Sequence, residues 1–191
     1  RYAHRKTDEL DLYFVSNTSA GTVRADCILN MKGAVPELWD PVTGKISPLH
    51  RYTQHEGRTA IPLEFAPHQS FFVVFDRTTE APARDNGSAR DFEEMHLLRT
   101  VEGPWNVSFD TAWGGPAEVV FDTLQEWSIR QEGGIRYYSG TATYRTTFDV
   151  PEPVSSPLWL DLGEVHCIAR VRMNGKDLGV VWCAPWQVDI T

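Results

Sequence analysis

The sequence has little cysteine, and what it has is poorly placed for cross-linking. Cys27, Cys167 and Cys183 are its three cysteines, too few for a disulfide framework. No Cys-x-x-Cys stands near histidine partners, which leaves out a zinc site of the common spacing. The three are expected as free, buried thiols. No apolar run reaches the length that spans a bilayer. Positive charge is short as well: 18 Lys and Arg stand against 26 Asp and Glu, a net charge of −8. Such a surface repels phosphate backbones and anionic headgroups, so neither nucleic acid nor a membrane is expected as a partner. The six histidines are scattered, with no His-Glu-x-x-His arrangement. Ser139 lacks the Gly-x-Ser-x-Gly of a nucleophile elbow. No basic, cleavable leader stands at Arg1–Lys6; in a piece of a longer chain that absence is silent about the parent's destination.

Aromatic residues, by contrast, reach 12%, with seven tryptophans. Such side chains suit β-sandwiches and surfaces that face sugars. Alternation dominates the stretch from Tyr137 to Ile190, where Thr, Val, Tyr, Phe and Trp recur as strands prefer. Asn174-Gly175 is a type I′ hairpin signal, because both central residues need positive φ. That turn pairs Met173 with Lys176, Val171 with Leu178, Ala169 with Val180 and Cys167 with Trp182. It sorts the apolar members onto one face and leaves Arg170, Arg172 and Asp177 on the other. Cys167 and Cys183 then point to opposite faces, and no bridge between them is expected.

The N-terminal half reads as a series of short strands: Leu10 to Asn17, Thr22 to Asn30, Pro36 to Trp39 entering an Asp40-Pro41 turn closed by Gly44, Thr59 to Phe65, and Ser70 to Asp76. The brief link Ala66-Pro67-His68-Gln69 predicts that the last two are neighbours. This pattern is that of a small antiparallel sandwich over residues 1–77. Residues 78–98 are polar, small and aperiodic at first, and read as a linker. Phe92, Met95 and Leu98 are spaced either like one helical turn or as an extended lead-in. A second all-β domain, a sandwich or jelly roll, is expected over 99–191. It opens with Trp105, Val107 and Phe109 pointing inward. Gly133-Gly134 is expected as a flexible loop rather than a phosphate cradle. A sandwich ending at Val188-Asp189-Ile190-Thr191 would expose an unpaired edge, so a further strand from the same or another chain is expected there.

Several motifs in order resemble a known family. They are Gly103-Pro104-Trp105 with Val107 and Phe109, Trp113-Gly114-Gly115-Pro116, and Tyr137-Tyr138-Ser139-Gly140-Thr141-Ala142-Thr143-Tyr144. Val171-x-Met173-Asn174-Gly175-Lys176-Asp177-Leu178-Gly179 follows, with Trp182 and Pro185. Together they resemble the C-terminal region of glycoside hydrolase family 106, the bacterial α-L-rhamnosidases. Tyr13-Phe14-Val15-Ser16-Asn17 and Glu37-Leu38-Trp39-Asp40-Pro41-x-Thr43-Gly44 resemble the β-module that follows the catalytic barrel in that family. The resemblance implies two antiparallel β-sandwich domains. The second is a galactose-binding-like jelly roll, similar to the sugar-binding domain of family 2 glycosidases and truncated at its C-terminus. It further implies a periplasmic or extracellular parent acting on plant polysaccharide, with the catalytic residues and a metal on an upstream barrel of the same polypeptide. A structural calcium is common in jelly rolls of this type, though no ligand pattern here identifies one.

Hydrolysis of a glycoside needs two carboxylates about 5 to 9.5 Å apart. Glu93, Glu94, Glu126, Glu132 and Glu164 show no pairing signal and read as solvated. No catalytic residue and no cofactor is therefore assigned, and the segment alone is expected to be inactive. Aromatic faces are the better candidates, since sugar C–H faces stack on them. Alternation sends Trp105, Trp159 and Trp182 to the core. Trp113, Trp127, Tyr137, Tyr138 and Trp186 are the candidate sugar contacts, with Asn106, Arg136 or Gln187 as polar partners; filling the core is the competing role. Three functions stay open: accessory domains of a rhamnosidase-like enzyme, a stand-alone carbohydrate-binding module, and a protein-interaction β-module.

Overall fold

The computed structural model describes residues 1–78, 91–92, 95–150 and 157–191. They fall into two compact units, one drawn from Arg1–Glu94 and Ser155–Thr191, the other from Met95–Val154. The all-β expectation holds: the described residues form antiparallel ladders with a single turn of α-helix.

In the first unit, β1 (Tyr2–Lys6), β2 (Leu10–Ser16), β3 (Val23–Leu29), β4 (Pro36–Trp39) and β5 (Ile46–Pro48) precede β6 (Thr53–His55), β7 (Arg58–Phe65) and β8 (Ser70–Asp76). They form a five-stranded sheet, ordered β1-β2-β8-β4-β5, and a three-stranded sheet, ordered β3-β7-β6. The residues that alternate inward on β2, β7 and β8 meet between them: Tyr13 and Val15, Ile61, Leu63 and Phe65, and Phe71, Val73 and Phe75. Each such side chain withdrawn from water contributes about 1.5–3 kcal/mol.

The link Ala66–Gln69 does not make its flanking strands neighbours. β7 pairs with β3 and β6, and β8 pairs with β2 and β4. The link therefore crosses from one sheet to the other, and buried Asn17 holds it there. The Asn17 side-chain amide donates to the carbonyls of Gly21 (2.7 Å) and Ala66 (2.9 Å). A buried polar group met in this way costs little.

Residues 79–90 of the expected linker, with Glu93 and Glu94, lie outside the described residues. Asp91 is seated on the sandwich: its carboxylate accepts the backbone N–H groups of His50 (2.6 Å) and Arg51 (2.8 Å). Phe92 packs against Phe71. Residues 95–104 carry no helix, and Met95 and Leu98 are exposed.

The second unit contains β9 (Trp105–Phe109), β10 (Val119–Phe121) and β11 (Ala142–Arg145), ordered β10-β9-β11. Val107, Phe109, Phe121 and Ile135 form its core, with Trp105 half-buried against them. Gly133-Gly134 is not a loop as expected. It opens the single helical turn α1 (Gly133–Arg136), which drives Ile135 into the core.

Residues 157–191, part of the first unit, supply β12 (Trp159–Asp161), β13 (Ala169–Met173), β14 (Lys176–Val181) and β15 (Gln187–Asp189). β12 pairs with β15, and β13 with β14. The Asn174-Gly175 turn is present, with φ of 51° and 80°. The register expected from it holds for two pairs, Met173 with Lys176 and Arg172 with Asp177, and then slips. Val171 faces Gly179, Ala169 faces Val181, and Leu178 is the extra residue of a β-bulge. Gly179, at φ of 96°, supplies the backbone conformation the bulge requires. One slipped residue exchanges the faces of β14. Val181 is buried with Val171, while Val180 and Trp182 are half-exposed or more, Trp182 at 58%. Trp159 is likewise 42% exposed, so neither tryptophan fills the core expected of it.

The cysteines are unbridged. Cys167 is exposed rather than buried. Burial first, and the Asp40 carboxylate second, push the Cys183 thiol up.

Candidate functional site

The aromatic residues singled out as sugar contacts do not gather into one platform. Trp113, Trp127, Tyr137 and Tyr138 belong to the second unit and Trp186 to the first. Trp186 leans on the core of Val171, Val181 and Val188. Its neighbour Gln187 is spent on Asp161, to which its side-chain amide donates at 3.1 Å. Trp127 is a half-buried core member that donates its indole N–H to the Tyr144 hydroxyl at 2.5 Å and meets Phe109 edge to face. Tyr137 is 78% exposed, with the Arg136 guanidinium 5.5 Å from its ring centroid. Asn106 is exposed on β9.

Trp113 and Tyr138 come together, and they do so around a cleft. Ser108, Phe109 and Asp110 leave β9 at its base, and Tyr138 to Thr141 form the facing wall. The concavity is open and holds about 550 Å³. Asp110 starts the short 3₁₀ turn Thr111–Trp113: its carboxylate accepts the Ala112 N–H at 2.9 Å. Short polar side chains favour this position because they satisfy the donors that open a helical turn. Gly114, left-handed at φ of 83°, ends the turn, and its N–H returns to the Thr111 carbonyl. Trp113 is thereby held outward, 73% exposed.

The two walls are tied to each other. Asp110 donates its backbone N–H to the Tyr138 hydroxyl (3.2 Å), which donates in turn to the Thr141 carbonyl (3.3 Å). The Tyr138 ring lies edge to face on Phe109 and Trp127. Gly115 and Gly140 close on it so tightly that a methyl group at either would meet the ring atoms or hydroxyl within 3.0 Å. Tyr138 is thus a fixed floor and Trp113 a free face. Asp110, Ser108, Thr141 and Thr143 were not singled out in the sequence. Asp110 had a signal, an N-cap residue three before Trp113 with two glycines following; the hydroxyl residues had none.

Of the acidic residues weighed as catalytic carboxylates, Glu93 and Glu94 lie outside the described residues, and Glu126 and Glu132 have local partners. Glu132 takes the guanidinium of Arg130; its own backbone N–H first, and that guanidinium second, hold its carboxyl below the usual range. Glu126 accepts from Ser128. Glu164 is exposed. Among the described residues no three His, Cys, Asp or Glu side chains gather as a group that could hold a metal ion. No helix among the described residues is long and apolar enough to cross a membrane.

An all-β chain of paired antiparallel layers with an aromatic-walled cleft fits the glycoside hydrolase resemblance read from its motifs, and the comparisons bear that resemblance out. Residues 1–54 match the family model of the α-L-rhamnosidases, glycoside hydrolase family 106. The chain is similar over 99% of its length to the solved rhamnosidase from Novosphingobium sp. PP1Y, at 34% identity and a TM-score of 0.79. It is also 42% identical over 94 residues to a protein of Formosa agariphila named "Putative beta-glucuronidase". The chain spans only a small part of both relatives: 18% of the solved rhamnosidase, and a match covering 8% of the Formosa protein.

Proposed function

We propose that this chain forms accessory β-modules of a larger, exported, rhamnosidase-like glycoside hydrolase that acts on plant polysaccharide. In this reading the catalytic carboxylates sit on an upstream barrel of the same polypeptide. The modules brace that barrel and shape its surroundings without breaking bonds themselves. One observation carries the reading: 99% of this chain aligns with only 18% of a solved rhamnosidase. A segment of that proportion has the size of one or two domains of a larger chain. A jelly-roll second module and export to the periplasm or beyond belong to the same reading.

The test is direct. The purified chain is incubated with an aryl α-L-rhamnoside and with rhamnose-containing pectic oligosaccharide. No sugar is released if the reading holds; turnover that survives repurification of the chain overturns it.

A further inference from the structure

We infer that the cleft between Trp113 and the Tyr138–Thr141 wall binds a neutral pyranose, with the sugar's C–H face on the Trp113 indole and its hydroxyls on Asp110 and the wall. This deepens the accessory reading by assigning one of the modules a sugar of its own.

The geometry supplies three things such a ligand needs. The first is a flat apolar face. Trp113 is 73% exposed at the end of a turn whose backbone is capped at both ends, so the segment that carries the ring is set before any ligand arrives. A large exposed aromatic beside a concavity is the informative case, whereas scattered exposed aliphatics are ordinary. The second is polar atoms close to that face. Ser139, Thr141 and Thr143 line the same cleft. One oxygen of Asp110 is spent on the Ala112 N–H. The other takes no bond among the described residues and can accept sugar hydroxyls. The third is rigidity of the opposite wall, given by the Tyr138 hydroxyl bonded to both Asp110 and Thr141. A flat apolar patch suited to a protein partner would lack this concavity and these hydroxyls.

Charge selects among sugars. Asp110 is the one carboxylate among the described residues lining the cleft. Arg145 reaches the cleft through Ser108, to whose hydroxyl it donates at 3.2 Å. A carboxylate beside the sugar repels a uronate and accepts from a neutral diol. A deoxy sugar gains further, because its methyl group adds apolar area over the indole.

The experiment titrates the 191-residue chain with methyl α-L-rhamnopyranoside and, separately, with methyl β-D-glucopyranosiduronate, following the indole and backbone N–H signals by NMR. The Trp113 signal shifts saturably with the rhamnoside, with a Kd in the millimolar range, and responds at least about tenfold more weakly to the uronate. Trp113→Ala abolishes the saturable shifts that the rhamnoside produces in the backbone amides of Ser139 and Thr141, which line the cleft, while circular dichroism stays unchanged. Asp110→Asn keeps the turn cap and narrows the preference against the uronate. The inference is overturned by no shift with either sugar, by an equal response in the Trp113→Ala chain, by equal affinity for both sugars, or by a Trp113 signal that moves with protein concentration instead. Those results leave the accessory reading standing, because that reading fails on hydrolysis, which this titration does not measure.

Discussion

Arg77 grips Asp11 with two nitrogens at the buried end of β2, its Nε at 2.6 Å. His4 Nε2 stands 2.7 Å from the other oxygen and its ring is stacked on Tyr13. Asp11 is 4% exposed and occupies an inward-facing place on an otherwise apolar strand face. Burial pushes its carboxyl up, but the bonds from Arg77 and His4 outweigh burial and hold it below 3.8.

The pair therefore stabilises the first unit at neutral pH. A carboxyl lowered on folding contributes fully above its unfolded value and loses that contribution as pH falls through the folded one. Arg77→Ala should cost about 3 kcal/mol at neutral pH, because it strands a buried charge. The difference from the parent chain should shrink below pH 3.8, the ordinary value of the group. Urea denaturation at both pH values measures it; an equal cost at both would show that packing of the arginine stem, not the ion pair, was lost.

In the second unit, Tyr144→Phe removes the acceptor of the Trp127 indole N–H. The ring contact between Tyr144 and Phe121 remains available to the phenylalanine. The loss should thus be confined to one hydrogen bond and an unmet donor, about 1–2 kcal/mol. Thermal unfolding followed by tryptophan fluorescence reads the change.

Gly115 and Gly133 should respond oppositely to alanine. At Gly115 the new Cβ would lie 2.5 Å from the Phe109 Cβ and 2.9 Å from the Tyr138 ring. Overpacking of that kind costs about 2 kcal/mol. At Gly133 nothing lies within 4 Å, the residue begins α1, and alanine should add about 0.5 kcal/mol by narrowing the unfolded ensemble. Chemical denaturation of the two variants gives the signs.

Asp91→Ala frees the amides of His50 and Arg51, both of which it caps. The expected cost is about 2 kcal/mol. Hydrogen exchange localises it: the amides of residues 50 and 51 should lose protection first. Unchanged exchange there would assign the docking of this segment to Phe92 alone.

Much of this architecture could be read from residue order. The alternation on β2, β7 and β8 placed those strands, and Asn174-Gly175 placed its turn. Reading failed where geometry depends on a single conformation or on a distant partner. Gly179 looked like any strand glycine, yet its positive φ exchanges the two faces of β14 and moves Trp182 outward. Ala66–Gln69 has the length of a hairpin link, and only the position of Asn17 reveals that it changes sheets. The role of Asp11 was not legible because its partner Arg77 comes from beyond β8. For the cleft, Trp113 was visible as an aromatic beside turn residues. Tyr138 was singled out too, but its place across from Trp113 was not legible, since it meets Asp110 through folding rather than through proximity in the chain.

The place of β8 has a cost during synthesis. Its Phe71-Phe72-Val73-Val74-Phe75 run is uncharged, and it is flanked by β2 from the start of the chain and by β4. Both pairings are between segments far apart in sequence, which slows folding. Until they form, this segment is a short, uncharged stretch of high β-propensity open to other copies of itself, the signature of aggregation-prone sequence. Yields of the isolated chain should accordingly fall with expression temperature and concentration, and a charged replacement at half-buried Phe72 should raise soluble yield more than it alters the folded state.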